Sequence, residues 1–321
     1  MQDFTFKVYG ATINLSTDSS ELMKEMRRDF GRFEASADLP VEGRMIILET
    51  DGKFPLEIPR YAIRETFLPP DSSIFSASTF RFLEEKDERI LRLDLEKNEI
   101  LGYFRSACKF SMFLRFLLKW LLIKALEKKG ISFIHGSGVE RDGISLLFVG
   151  PSGHGKTHTL LTFLLDGYTL ITDDTILFRA DKVLPFHVRS RIDTEMGERF
   201  PVLKRRLEDD GTYLPGLGWL IDLGCIFPSR QKEVQASKLF YMYIWNAPET
   251  RVETISKKEM LARLLYSYEV ELKQTLWSSH SKSEALRRIF RNYSELVNQT
   301  DCYKVYAGSD PTLFLEAIKE T

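Results

Sequence analysis

The chain is 321 residues long, 43% hydrophobic and 28% charged, with 45 Lys and Arg against 46 Asp and Glu. A net charge of −1 provides no global basic field for nucleic acid or an anionic membrane, so no nucleic-acid partner is expected. The length suits two domains, or one large domain with additions, and the composition is that of a globular protein with a real core.

Cys108, Cys225 and Cys302 are far apart and form neither a zinc spacing nor a C-x-x-C pair, which reads as free thiols in a reducing cytosol. Met1-Gln2-Asp3-Phe4 has no basic or apolar leader character, so no signal peptide is visible and a cytoplasmic location is expected.

Phe4, Phe6 and Val8 alternate with polar residues as in a half-buried strand, Gly10 punctuates, and Ile13 with Leu15 begins a second strand. Thr17-Asp18-Ser19-Ser20 offers caps for a helix through Leu22, Met23, Met26 and Phe30, stopped by Gly31. Met45-Ile46-Ile47-Leu48 is a strand that Asp51-Gly52 closes with a hairpin signal. Pro55, Pro59, Pro69 and Pro70 mark loops before strands at 79–83 and 90–95, joined by a charged turn at 85–88. Residues 1–108 are therefore predicted to form a β-rich α+β unit without a catalytic motif, serving oligomerisation or walling a substrate cleft.

Residues 110–126 are strongly apolar, yet Arg115, Lys119 and Lys124 interrupt them well short of the ~20 residues that cross a bilayer. A largely buried amphipathic helix is predicted, with no membrane span; a membrane-surface helix is the second reading. Gly130 ends it. Ile131-Ser132-Phe133-Ile134 is a strand leading to His135, and 136–143, with three glycines at Gly136, Gly138 and Gly143, is predicted to be a turn. On residues alone, a lone histidine at a strand end reads as a structural hydrogen-bonder.

Ile144-Ser145-Leu146-Leu147-Phe148-Val149 has the character of a central strand, and Gly150-Pro151-Ser152-Gly153-His154-Gly155-Lys156-Thr157 after it fits G-x-x-x-x-G-K-[ST]. Glycines let several backbone N–H groups point into one concavity, an anion nest at a helix start. Lys156 adds a positive charge that reaches terminal phosphates, and the Thr157 hydroxyl can hold Mg²⁺. Apolar residues at helical spacing from Thr159 to Leu165 end at Gly167, and a strand at 169–172 delivers Asp173 and Asp174. Gly150, Ser152, Gly153, His154, Gly155, Lys156, Thr157 and His158 are the candidate nucleotide-binding residues. One carboxylate of the acidic pair can anchor a metal shell while the other takes a hydroxyl proton; a purely metal-holding pair is the cautious reading.

Ile176-Leu177-Phe178 continues the strand and Asp181-Lys182 turns. His187, Arg189 and Arg191 alternate along an extended segment, which would place all three on one face able to grip phosphate, or leave them as a solvated face. Lys204-Arg205-Arg206 reads as a solvated helix patch, and Gly211, Pro215, Gly216 and Gly218 as a loop over the site. Residues 219–227 are predicted as a core strand, Arg230 and Lys232 as cations able to approach a transferred phosphate, and 240–245 as a further strand. Ser256-Lys257-Lys258-Glu259 is a capping box opening C-terminal helices, with Leu261, Leu264, Leu265 and Tyr268 on one face. A strand at 303–306 and a helix at 311–318 finish the chain.

His135-Gly136, the loop from Gly150 to Thr157, Gly167, and Leu170-Ile171-Thr172-Asp173-Asp174 together resemble the core of HPr kinase/phosphorylase, over roughly residues 131–178. The resemblance implies an α/β fold, α+β overall, with a phosphate-loop core related to the nucleotide domain of phosphoenolpyruvate carboxykinase. It makes 109–321 the kinase domain and ATP and Mg²⁺ the cofactors. It also implies that Lys156 binds the β- and γ-phosphates, Thr157 and Asp174 hold the metal, Asp173 is acid/base at an acceptor serine, and His135 lies beside the phosphates. The family's E-x-R-G-L-G segment has no counterpart after Ile192, where the chain reads Asp193-Thr194-Glu195-Met196-Gly197-Glu198-Arg199, with Glu195 and Glu198 as candidate carboxylates. An acceptor other than HPr is therefore expected, as in the divergent relatives that phosphorylate ribosomal peptides such as lasso peptides.

The expected function is an ATP·Mg²⁺-dependent kinase acting on a serine hydroxyl of a protein or peptide, with a homo-oligomer among the expected assemblies. The alternatives are a small-molecule kinase on the same fold and a nucleotide-sensing module without turnover. The donor stays open among ATP, another triphosphate and pyrophosphate.

Overall fold

The computed structural model describes residues 1–65, 72–245, 247–273, 277 and 283–321, and the chain forms two compact units, Met1–Gly130 with Lys273–Lys282, and Ile131–Leu272 with Ser283–Thr321. The division after Gly130 differs from the boundary expected after residue 108, because the apolar helix packs on the strands of the first unit. Pro69 and Pro70 lie outside the described residues.

In the first unit the strands are β1 (Gln2–Val8), β2 (Ala11–Thr17), β3 (Gly43–Glu49), β4 (Ile63–Glu65), β5 (Ser72–Ala77), β6 (Phe80–Glu85), β7 (Arg89–Asp94) and β8 (Glu99–Phe104). They form one sheet in the order β1-β2-β3-β8-β7-β6-β5-β4. Tyr9 and Gly10 both hold positive φ, the geometry of a tight hairpin between β1 and β2. The hairpin expected at Asp51-Gly52 does not form: β3 lies between parallel β2 and β8, since its apolar run is buried by both neighbours. Two helices, α1 (Ser20–Phe30) and α2 (Ser111–Lys128), cover this sheet. Only Lys128 of α2 is fully exposed, so the helix is buried all round rather than two-faced. Arg115 accordingly spends its charge on the wholly buried Asp29 carboxylate, at 3.1 Å.

The second unit contains β9 (Ser132–Arg141), β10 (Ile144–Val149), α3 (Lys156–Leu165), β11 (Thr169–Thr172), β12 (Thr175–Arg179), β13 (Lys182–Leu184) and β14 (Ser190–Ile192). After these come α4 (Thr194–Arg199), α5 (Pro201–Asp210), β15 (Thr212–Leu214), β16 (Gly218–Ile221), β17 (Val234–Gln235), β18 (Lys238–Ile244), β19 (Arg251–Thr254), α6 (Lys257–Lys273), α7 (Ser283–Gln299), β20 (Asp301–Ala307) and α8 (Pro311–Lys319). The main sheet runs β17-β13-β12-β9-β10-β18-β20-β19, with β11 also on β9, and β14-β16-β15 form a small separate sheet. Strands β10, β18 and β20 are parallel, so their carboxyl ends share one edge. The core between this sheet and α3 holds Phe148, Phe163, Phe240, Leu160 and Phe314.

Residues 136–141 extend β9 instead of turning; the turn is only Asp142-Gly143, both at positive φ. Gly136 is there for contact: a Cβ would lie 2.6 Å from the Phe148 carbonyl oxygen. His135 therefore stands in mid-strand, opposite Thr175. The core strand expected over 219–227 is short β16 followed by a single 3-10 turn at Leu223–Cys225, with the Asp222 carboxylate accepting from the Gly224 N–H. The capping box is half formed, since Ser256 accepts from the Glu259 N–H while the Glu259 carboxylate pairs with Arg263. Among the described residues no helix is long and apolar enough to cross a membrane.

Candidate functional site

The Gly-rich loop leaves the carboxyl end of β10, between antiparallel β9 and parallel β18, and enters α3 at Lys156. Gly150 approaches β18 so closely, with φ 140°, that a Cβ would lie 3.0 Å from the Met242 carbonyl oxygen. Gly153 and Gly155 take left-handed φ of 80° and 77°, the backbone that curls the loop into a cradle. His154 anchors the cradle to β18 through Nδ1, 3.0 Å from the Met242 oxygen. At its other end α3 closes on Gly167: the Tyr168 N–H reaches the Phe163 carbonyl and the Gly167 N–H the Leu164 carbonyl, both at 3.1 Å, a Schellman stop that starts β11 at once.

Lys156 is 7% exposed, and its ammonium donates to the Gly150 and Pro151 carbonyls at 2.8 and 2.7 Å. Burial lowers its pKa to about 8, against the opposing pull of Asp174, Glu271 and Asp173. The Thr157 hydroxyl donates towards Asp173 Oδ1 at 3.4 Å. Asp173 is 8% exposed; burial first and the Asp174 charge second raise its pKa, while a hydrogen bond from Ser190 works the other way.

Asp174 has φ 63°, the strained turn that lets two adjacent carboxylates both reach one site. Its carbonyl and carboxylate oxygens lie 2.9 and 3.4 Å from His135 Nδ1. Burial opposes the imidazolium of His135, but the hydrogen bond and charge of Asp174 outweigh it and raise the pKa. Thus Thr157 meets Asp173, whereas Asp174 turns to His135. His158, in the first turn of α3, packs on Phe200 with ring centres 5.2 Å apart, and burial with the Arg199 charge lowers its pKa.

Other candidates fall elsewhere. Arg230 pairs with buried Glu140, at the end of β9 away from the loop. His187 and Arg189 are buried on backbone and hydroxyl partners, Arg230 carbonyl at 2.8 Å and Thr212 Oγ1 at 3.2 Å, while Arg191 is exposed, so no three-cation face forms. Glu195 is exposed and pairs with Arg199. Lys204 is solvated, and Arg205 and Arg206 bridge to Asp209 and Asp210 along α5, as a surface patch does. Two contributors escaped the sequence reading: Ser190 on β14 and Glu271 on α6, whose charge is felt by both His135 and Lys156. Neither lies in a motif, so only the fold brings them in.

Among the described residues no three His, Cys, Asp or Glu side chains cluster to hold a metal by themselves. The hydroxyl of Thr157 and the two adjacent carboxylates are nevertheless the hard oxygen donors that suit Mg²⁺, which takes one or two protein oxygens and fills its shell with phosphate and water.

No family model matches the chain. A 131-residue stretch, 41% of this chain, is 29% identical to HPr kinase/phosphorylase from Lactobacillus delbrueckii subsp. bulgaricus, covering 36% of that protein. A 105-residue stretch, 33% of the chain, is 29% identical to HPr kinase/phosphorylase from Shouchella clausii, covering 31% of it. The chain is HPr kinase-like. It spans about a third of the length of these curated relatives. A solved HPr(Ser) kinase/phosphatase from Coxiella burnetii aligns over 59% of this chain and 95% of its own at 11% identity, with a TM-score of 0.28. The HPr kinase-like assignment thus rests on sequence.

Proposed function

We propose that this HPr kinase-like chain transfers the γ-phosphate of ATP to a hydroxyl, that of a serine in a protein or peptide, with its Gly-rich loop as the phosphate site. The observation that carries the reading is Asp173: a nearly buried carboxylate with a raised pKa, 3.4 Å from the Thr157 hydroxyl at the mouth of an anion-binding loop. A base whose pKa is pushed towards neutrality is suited to taking a proton from a weakly acidic hydroxyl.

In the reaction, the acceptor oxygen bonds to the γ-phosphorus as the bond from that phosphorus to the β–γ bridging oxygen breaks. The electron pair leaves on the diphosphate, and the hydroxyl proton passes to Asp173. Lys156 exchanges its Gly150 and Pro151 carbonyl partners for phosphate oxygens, which restores its full charge. Backbone N–H groups of 152–157 hold the phosphates in place, and His135, whose charged form Asp174 favours, adds a donor beside them. Thr157 and Asp174 would hold Mg²⁺, which supplies charge neutralisation on the phosphates.

The test is transfer of labelled γ-phosphate from ATP·Mg²⁺ into host extract and into peptides encoded beside the gene. A labelled species that disappears with Asp173→Asn supports the kinase and identifies its acceptor. Tight ATP binding with no protein or peptide labelled by wild-type protein would sink the serine-kinase reading in favour of a sensor or a small-molecule kinase.

A further inference from the structure

Two threonines bracket the acidic pair, Thr172-Asp173-Asp174-Thr175, and both are buried. The turn between them is an unfavourable one. The Thr175 N–H donates to the Asp173 carbonyl at 2.7 Å across Asp174, whose φ is 63°. A hydrogen bond two residues back about a positive φ is the rare, strained form of γ-turn. Such a backbone persists only where its surroundings over-determine it.

On one side β9 supplies the restraint. His135 Nδ1 lies 2.9 Å from the Asp174 carbonyl oxygen, and the Gly136 N–H donates to the same oxygen at 3.3 Å. On the other side stands the Thr172 hydroxyl. It has two carbonyl oxygens within reach, that of Thr175 at 2.7 Å and that of Phe186 at 2.9 Å, and a single proton for both. The first contact closes a ring of residues around the acidic pair. The second fastens that ring to the segment leading to Ser190, which itself donates to Asp173. Strand β11 is irregular against β9 between Leu170 and Thr172, a bulge of the kind that re-aims a side chain at a strand end. Thr175 passes the restraint on: its hydroxyl lies 3.4 Å from Asp174 Oδ2, while His135 Nδ1 lies 3.4 Å from Oδ1.

We propose that Thr172 is a positioning residue for the metal site: its hydroxyl holds the strained acidic turn closed and so keeps the Asp174 carboxylate where it can hold Mg²⁺. The proposal rests on the phosphate-loop reading above and names what the metal-holding carboxylate of that reading depends on. Thr172 is fully buried and acts through the backbone of Thr175. A valine of the same shape would fill the strand core equally well, but it would bring no proton to either carbonyl.

Calorimetric titration of the full chain with ATP, in EDTA and in excess Mg²⁺, reads the metal's share of the binding separately. Losing a group that orients a metal ligand costs about 10–100-fold in metal affinity. Thr172→Val should therefore cut the Mg²⁺-dependent gain about tenfold, while Mg²⁺-free ATP affinity stays within about twofold. Thr172→Ser, which keeps the hydroxyl, should retain the gain, and Thr172→Ala serves if Thr172→Val melts early. In an Asp174→Asn background, Thr172→Val should cost less than about twofold more, since the clamp acts through that carboxylate. An unchanged Mg²⁺ gain in Thr172→Val, equal weakening with and without Mg²⁺, no rescue by serine, or the same loss repeated on Asp174→Asn overturns the assignment and leaves the phosphate loop standing. If wild-type protein binds no ATP, or binds it no better with Mg²⁺, the reading beneath falls and this one with it.

Discussion

Both units bury charge, and the Gly-rich loop of the second unit treats it differently from the core of the first. In the first unit, Asp29 meets Arg115 at 3.1 Å, Arg89 meets Glu85 at 2.7 Å, and the Arg89 guanidinium also lies over the Phe110 and Phe113 rings. These buried charges are answered by their opposites, and the pairs join α1 to α2 and β6 to β7. In the second unit Lys156 is held by carbonyl oxygens, and Asp173 stands beside a second carboxylate that makes its own ionisation harder. Charges satisfied by each other build structure; what a buried charge faces, not burial alone, separates the two settings.

The contrast can be broken by substitution. The largest effect expected is on Asp173: Asp173→Asn should lower phosphate transfer about 10²–10⁴-fold, the usual worth of a general base, in steady-state assays. It should not destabilise the fold. Because the folded pKa of Asp173 is raised, its protonated form favours folding, and that contribution is lost as pH rises through the folded value. The neutral amide should therefore raise the melting temperature at neutral pH, with the gain fading below about pH 4, the ordinary carboxylate range. Asp29→Ala should show the reverse pattern: a loss of about 3–5 kcal/mol in denaturant unfolding, with ATP affinity of the folded protein unchanged.

Lys156→Ala should weaken ATP binding about 10- to 100-fold, by loss of a charge-assisted hydrogen bond. In wild-type protein, ATP binding between about pH 8 and 9 should take up a proton, measurable as a buffer-dependent enthalpy, since free Lys156 has a pKa of about 8.

The His135–Asp174 pair should tune rather than enable. Its raised pKa means the imidazolium is fully present below pH 6.5 and lost as pH rises through the folded value, so ATP affinity should decline over that interval. His135→Gln should flatten the decline. The smallest effect, a few-fold in rate or affinity, is expected for Glu271→Gln, whose carboxylate acts on the site only by its charge. A large loss there would show that α6 reaches the substrate.

Sequence reasoning reached furthest where structure is local. The β10–loop–α3–β11 succession was legible because apolar period, glycine punctuation and the Lys-Thr pair all lie within about thirty residues of one another. It failed where a residue's role depends on what faces it. Gly136 and Gly138 look like turn residues and are strand residues, because Phe148 and Leu147 leave no room for a Cβ. Gly102 of β8 is likewise crowded by Phe104 and Ile47. Arg230 looks like a phosphate ligand until Glu140 claims it.

What the sequence determined by itself is thus the Gly-rich cradle and the acidic pair after it, since turn chemistry and helix initiation act between near neighbours. Tertiary structure alone decided that Thr157 faces Asp173 while Asp174 faces His135, that Ser190 and Glu271 join them, and that Thr172 reaches the Phe186 carbonyl. Those contacts join strands and helices distant along the chain, and which side chains meet there is set by packing across the sheet, which no local pattern encodes.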